Sequence, residues 1–382
     1  FLLFMNKTSG SPIVIIHFNP LERFPPVVNL LNYLVANSAK NNIVISSRRV
    51  KETDLNNFVS GSRNVTVKRT PAIISNSVFR IFHYLFFYGY SFYLLLKYNP
   101  KSVLYFESNS SWPALFYKKL RGNKVKLLAH YHEYNTPLEY QNGMRLVKAM
   151  HQMEQKMYPF AFDWISQTNE IRLKRFIDDN HLGNVDQLRF HSMPNYPSQY
   201  WAKGKTNFNS SDKIRLVYVG SLGYDTMYLK QVTDWVLLNK KTLSLDLYSD
   251  NIDDKATTFL QSIKDDAITF HGGCAYEELP AKLINYDIGL VIYKPVSENW
   301  VHNAPNKVFE YLACGLDVWF SKTMTYTSSI LREDVYPKIM AVNFERMDEF
   351  DVENAVNREG LKCKESEYFY EEVYGEICKA LS

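Results

Sequence analysis

Only four cysteines occur in 382 residues: Cys274, Cys314, Cys363 and Cys378, far apart and without a C-x-x-C pair. That spacing argues against a disulfide framework and a thiolate zinc site, and it suits a reducing compartment. No D-x-D sequence occurs, so the paired-aspartate device for holding a cation against a diphosphate is missing. No zinc-finger spacing, RNP signature or basic-region heptad is present, which argues against nucleic acid as a partner. The first residues, FLLFMNKTSGSP, have a short apolar run with no basic segment before it and no small-residue cleavage site after it. They are not expected to act as a secretory leader. The stretch IFHYLFFYGYSFYLLL (81–96) lacks Asp, Glu, Lys and Arg for 16 residues. It falls short of the about 20 apolar residues of a membrane span and carries tyrosines, a histidine and a glycine. Two readings remain for it: a core helix of a large sheet, or an interfacial helix resting on a membrane surface.

What the chain does have is enough apolar sequence for two domains. Its hydrophobic content is 46% and its charged content 22%, and single cores seldom grow past roughly 250–300 residues. The net charge of +4 conceals a split, with +12 over 1–200 and −8 over 201–382. A basic half beside an acidic half suggests domains with different partners; for the basic half, an anionic membrane surface or an acidic acceptor is expected.

Short β-branched runs alternate with helical spacing along the chain. IVIIHF (13–18), NIVIS (42–46), SVLYF (102–106) and VKLLAH (125–130) read as buried strands, with helices over 27–36, 77–98 and 111–120 between them. A second cycle starts with IRLVYVG at Ile214. It continues through strands at 243–248, 268–271, 288–293 and 317–320, and helices near 226–238, 253–264, 276–285 and 305–314. Continuous apolar strands alternating with helices predict parallel sheets covered on both faces. The expected architecture is α/β, with two Rossmann-like doubly wound domains facing a cleft. The boundaries are 1–195, a linker at 196–213, 214–365, and a C-terminal helix at 366–382 that packs back on the first domain.

Parallel sheets place ligands beyond the carboxyl ends of their strands, so the residues that follow each strand matter most. Gly220-Ser221-Leu222-Gly223 follows one strand and would let backbone approach a phosphate. His271-Gly272-Gly273 follows another. In NAPNKVFEYLACG, Pro305 suits the first turn of a helix, and the amides of Asn306, Lys307 and Val308 would face outward with the Lys307 charge. Glu310 lies one turn on, where a carboxylate could accept a ribose diol or simply pair with Lys307. In the first half, the strand at 125–130 delivers His130, His132 and Glu133 to its end, and Asn19 follows the first strand. An H-x-H metal site would need further ligands, so no metal is expected. Arg172 and Lys174 are candidate contacts for an anionic acceptor.

Three segments in order, VYVGSL, FHGGCAYEELPAKLINYDIGLVIYKP and NAPNKVFEYLACGLDV, resemble the C-terminal domain of GT-B glycosyltransferases, in particular glycosyltransferase family 4. The resemblance spans about 214–320, with weaker support from HYHEY and ISQTNEIRLKRF. It implies that Glu310 binds a ribose, that Asn306 and Lys307 face the donor's phosphates and sugar, and that Gly272-Gly273 lies near the base. His302 stands where the family often has a second acid, with Asn303 beside it, and Ser221 stands where it usually has an arginine. Lys307 and the helix amides are then left to serve the diphosphate. His132-Glu133 resembles the family's His-Asp pair, so His132 ranks first and His130 second near the reacting sugar. The implied activity is retaining, metal-independent transfer from a UDP- or GDP-linked sugar, with no further cofactor. The acceptor would be a glycan or lipid-linked molecule in surface polysaccharide synthesis, in the cytoplasm or on the inner face of the membrane. A sugar-nucleotide epimerase of the same fold, or a binding protein that has lost catalysis, are the alternatives.

Overall fold

The computed structural model describes residues 10–21, 24–38, 40–48, 64–72, 77–202 and 213–382. The reading of the first nine residues and of 203–212 in the linker lies outside the described residues. The chain divides into two compact units, one running to Pro194 and including Glu371–Ser382, the other Asn195–Tyr370.

The first unit contains β1 (Ile13–His17), α1 (Pro25–Asn37), β2 (Asn42–Ser47), β3 (Val65–Thr70), α2 (Ser77–Tyr98), β4 (Ser102–Phe106), α3 (Ser111–Arg121) and β5 (Lys126–Tyr131). α4 (Pro137–Asn142), α5 (Arg145–Met157), β6 (Trp164–Gln167), α6 (Glu170–Asp179) and β7 (Phe190–Ser192) follow. The strand order is β3-β2-β1-β4-β5-β6-β7 with every pair parallel. β1, β2 and β4 are buried at every residue, as continuous apolar runs require in a sheet covered on both faces. β3, VTVKRT, was not expected: its mixed polar sequence fits its place at the sheet edge, where most of it is half-buried.

The second unit contains β8 (Ile214–Val219), α7 (Leu229–Leu238), β9 (Leu243–Tyr248), α8 (Asp254–Ser262), β10 (Ile268–Phe270), α9 (Leu279–Leu283), β11 (Ile288–Val291), α10 (Glu298–Val301), α11 (Asn306–Ala313) and β12 (Asp317–Ser321). α12 (Thr325–Ser329), β13 (Val335–Tyr336), β14 (Ile339–Val342), α13 (Val352–Val356) and β15 (Lys362–Cys363) complete it. Its main sheet, β10-β9-β8-β11-β12-β14, is also wholly parallel.

The last helix, α14 (Tyr370–Leu381), belongs almost wholly to the first unit. Its carbonyl end is met by cations: Lys126 Nζ donates to Ala380 O (3.0 Å) and Lys40 Nζ to Ser382 O (2.7 Å). Positive charge there satisfies orphan carbonyls and complements the helix dipole. In both sheets the strand order reverses, between β1 and β4 and between β8 and β11. Such switch points open a crevice at the strand ends.

Candidate functional site

In the second unit, β8 and β11 flank the switch point, and α11 starts beside their carboxyl ends. Pro305, expected inside the first turn, is the residue preceding it, with extended ψ of 137°. Its carbonyl accepts the Val308 N–H at 3.0 Å. Val308 is therefore not open to a ligand, and the remaining first-turn amides are those of Asn306 and Lys307.

Lys307 is 8% exposed, and its ammonium is held between two phenols. Nζ donates to Tyr293 Oη at 2.6 Å and to Tyr218 Oη at 3.2 Å, lying 4.6 and 4.5 Å from their ring centroids. Burial pulls its pKa down, but the two phenol oxygens outweigh this and hold it above the usual lysine value. Gly220, at φ +132°, faces this ammonium: a Cβ there would lie 2.8 Å from Nζ. Any side chain at 220 would stand where an anion could meet the charge.

Glu310 is 6% exposed, and burial raises its carboxyl to about 7, against a hydrogen bond from Tyr276 and the Lys307 charge, which lower it. Next to it in sequence, Tyr311 ties α11 to the sheet. Its hydroxyl accepts the Val219 N–H at 3.0 Å, at the end of β8. Its ring occupies the space over Gly289, where a Cβ would fall 2.1 Å from the ring. The glycine of β11 thus lets α11 seat a tyrosine that holds the strand end before Gly220.

The rest of the donor set is spread around this centre. Ser221 accepts from Asn251 Nδ2 (2.9 Å), and its carbonyl accepts the Tyr218 hydroxyl (2.6 Å). Leu222 is buried, and Gly223 is followed by a turn in which Tyr224 N donates to Asp253 (2.9 Å). The Gly272 carbonyl accepts Ser249 N–H (2.8 Å) and precedes Gly273; beside them His271 stacks on Tyr248 with ring centroids 4.6 Å apart. His302 is 5% exposed with both nitrogens engaged, by Thr325 Oγ1 (2.7 Å) and Glu298 Oε2 (2.9 Å). The carboxylate in this neighbourhood thus comes from Glu298, one turn earlier on α10. Asn303 and Asn306 are half-buried.

In the first unit, the ends of β1, β4 and β5 gather three histidines around Phe106. His132 stacks on Phe106 (5.1 Å between centroids), His130 is 4.7 Å from His132, and His17 is 6.3 Å from it. Nδ1 of His17 contacts the Asn19 carbonyl (2.8 Å), and Nδ1 of His130 contacts Ser166 Oγ (2.8 Å). Burial lowers His17 to about 4 and His130 to about 3, so both are neutral near pH 7. Glu107, directly after β4, adopts φ +62°, a conformation L side chains seldom take. There its carboxylate accepts the His132 N–H (2.5 Å) and the Glu133 N–H (3.2 Å). Burial, with the exposed Glu133 charge second, raises Glu107 to about 8 against those two amides. Arg172, expected to meet an acceptor, is instead 1% exposed: Nη1 donates to the His132 carbonyl and to Thr168 Oγ1, each at 2.8 Å. Backbone at His132 is thus fixed on both sides, by Glu107 and by Arg172. Lys174 pairs with Asp178 at 2.8 Å on the surface.

No family model matches the chain, and no curated protein matches it in sequence. Its likeness to solved structures is extensive. A glycosyltransferase from Rickettsia africae ESF-5 aligns with a TM-score of 0.62 at 12% identity, over 97% of this chain and 94% of that one. The lipopolysaccharide outer core galactosyltransferase WaaB aligns at 0.58 and 13%, over 97% and 94%. A UDP-GlcNAc 2-epimerase from Methanocaldococcus jannaschii aligns at 0.59 and 10%, over 97% and 99%.

The fold is GT-B. At these identities the likeness shows the architecture alone.

Within the GT-B frame, Gly220, Lys307 and Glu310 come together at one switch point, and His130, His132 and Glu133 at the other. Residues that the sequence reading passed over include Tyr218, Tyr293, Tyr311, His17 and Glu107. Their only sequence signal is position, since Tyr293 and Glu107 stand just beyond apolar strands. Tyrosine is so frequent here, with 27 copies, that none stood out. Among the described residues no group of His, Cys, Asp and Glu is arranged to hold a metal ion.

Proposed function

We propose that the chain is a glycosyltransferase that moves a sugar from a nucleotide-diphosphate donor to a glycan or lipid-linked acceptor. The observation that carries this is Lys307, a buried ammonium facing Gly220 with Glu310 one helical turn on. A fixed cation and first-turn amides suit a diphosphate, and they would bear the charge that develops on it as the bond from the sugar's anomeric carbon to the phosphate oxygen breaks and the acceptor oxygen takes its place. Because Tyr218 and Tyr293 already hold the ammonium in place, little reorganisation is needed at that moment. Glu310 takes the ribose diol, best when ionised. The family resemblance assigns His132 of the first unit to the reacting sugar; beside it His130 and His17 are neutral near pH 7.

UDP or GDP as the nucleotide, retention at the anomeric carbon and independence of metal follow from the family resemblance. So does a role in surface polysaccharide synthesis at the inner face of a membrane. The name of the epimerase, which takes UDP-GlcNAc, supports a sugar nucleotide as substrate, and that of WaaB, a lipopolysaccharide galactosyltransferase, supports sugar transfer. The epimerase's shared fold also favours a second reading, interconversion of the donor sugar.

A panel of UDP- and GDP-sugars, incubated with and without glycan and polyprenyl-phosphate sugar acceptors, separates these readings. Transfer gives a product only with acceptor, and Lys307→Ala lowers its turnover and the diphosphate affinity together. Interconversion without acceptor supports the epimerase, and binding without turnover removes both.

A further inference from the structure

α2 is apolar on two opposite faces. One packs into the core of the first unit through Tyr84, Phe87, Tyr88, Leu94 and Leu95. The other carries Phe79, Phe82, Phe86, Tyr93 and Leu96, between 48% and 64% exposed. Their spacing of three, four, seven and three residues keeps them in one stripe, which runs about 25 Å along the helix. α3 packs beside α2, with Tyr88 and Trp112 at 5.5 Å, and adds Phe116 (47% exposed) and Leu120 (62% exposed). Isolated apolar residues on a surface need no explanation, but a continuous aromatic stripe does.

The segment that carries the stripe has charge almost wholly of one sign. Between residues 77 and 132 there are eight Lys and Arg, and the single acid is Glu107, already occupied by the amides of His132 and Glu133. Lys97 ends the stripe and is exposed, as are Lys119 and Lys124; Lys119 Nζ lies 5.8 Å from the Phe116 ring centroid. Two copies of this chain meeting through the same face would set these cations against one another, which disfavours a symmetric dimer. A lipid surface with anionic headgroups is complementary to both features: the rings enter the headgroup–acyl boundary and the lysines meet phosphates. Among the described residues no helix is long and apolar enough to cross a membrane, so α2 would lie in the interface.

We infer that the α2–α3 face docks this chain on an anionic membrane surface, the rings of α2 entering the interface and the flanking lysines binding lipid phosphates. This deepens the transferase reading by naming the surface from which a lipid-linked acceptor is reached, and it is tested without any donor. The full chain is floated with vesicles of phosphatidylethanolamine and phosphatidylglycerol, and with phosphatidylcholine alone. Binding is expected only to the anionic vesicles and should weaken with salt. Phe82→Glu with Phe86→Glu should lower it more than tenfold. Lys97→Glu and Lys119→Glu should each lower it at least roughly fivefold. All four positions are exposed, so the melting temperature should hold, and a variant that keeps it while losing vesicles supports the docking face. Equal binding to both vesicle types, or none, overturns the inference. So does concentration-dependent self-association that the phenylalanine pair abolishes, which would assign the face to a second copy. Vesicle binding without sugar transfer would count against the transferase reading alone.

Discussion

Glu310 offers the sharpest test, because its burial makes both binding and stability depend on pH. The carboxyl rises from 4.5 to about 7. If the ribose diol donates to the ionised form, only the ionised fraction binds well, and the apparent dissociation constant scales inversely with it. That fraction is roughly 10% at pH 6 and roughly 90% at pH 8, so UDP affinity should improve about ninefold over this range, close to 1.3 kcal/mol. The terminal phosphate of UDP titrates nearby, with a pKa of about 6, so the wild-type slope alone does not isolate Glu310. The Glu310→Gln variant supplies the reference, since the ligand's own titration is common to both proteins. Isothermal titration at pH 6, 7 and 8 should show weaker binding by the variant at pH 8 and a gap that closes toward pH 6.

Stability should move the other way. A folded-state pKa above the unfolded value means the folded chain holds the proton longer, so wild-type stability falls as pH rises from 4.5 through about 7. Above that range the penalty is on the order of 3 kcal/mol. Glu310→Gln removes it, so the variant should melt higher than wild type at pH 8 while binding UDP less well. A site strained for its ligand shows that combination. Parallel pH profiles for the two proteins would refute the ribose role, and equal melting points at pH 8 would refute the burial argument.

Two other expectations rest on different contacts. Gly289→Ala would push a methyl to 2.1 Å from the Tyr311 ring. It should destabilise the chain by about 1–3 kcal/mol and weaken UDP binding by releasing the Val219 N–H; an unchanged melting temperature and affinity would count against the tie. Glu107, raised to about 8, likewise favours its protonated form when folded, so wild-type stability should fall as pH rises from 4.5 through about 8. Glu107→Gln mimics the protonated form, and its stability advantage in urea titrations should widen between pH 5 and pH 8.5. A constant difference would mean that the carboxyl stays ionised throughout.

Most of the frame was readable because it is written locally. IVIIH and IRLVYV are apolar without alternation, so each declares a strand buried on both faces, and the helices between strands make the sheets parallel. The start of α11 was legible from proline and its stop from Cys314-Gly315, within one residue at each end. β3 was not, since VTVKRT mixes polar and apolar residues at the sheet edge. The stretch 81–96 supported two readings because it is apolar all round. Only the packing separates its faces, one in the core and one exposed.

What the sequence determined by itself was the succession of strands and helices, the glycine turn after β8, and a helix that offers Lys307 and Glu310 on adjacent turns. These depend on neighbours within a few residues. The tertiary structure alone decided what surrounds them. Lys307 is held by tyrosines 89 and 14 residues away, and Arg172 turns inward to a carbonyl 40 residues distant. Glu107 reaches amides 25 and 26 residues on. Such partners share no local pattern, because parallel strands that touch are separated in sequence by whole helices. Burial, which sets the charge state of Glu310, Glu107 and the histidines, arises only when those strands pair.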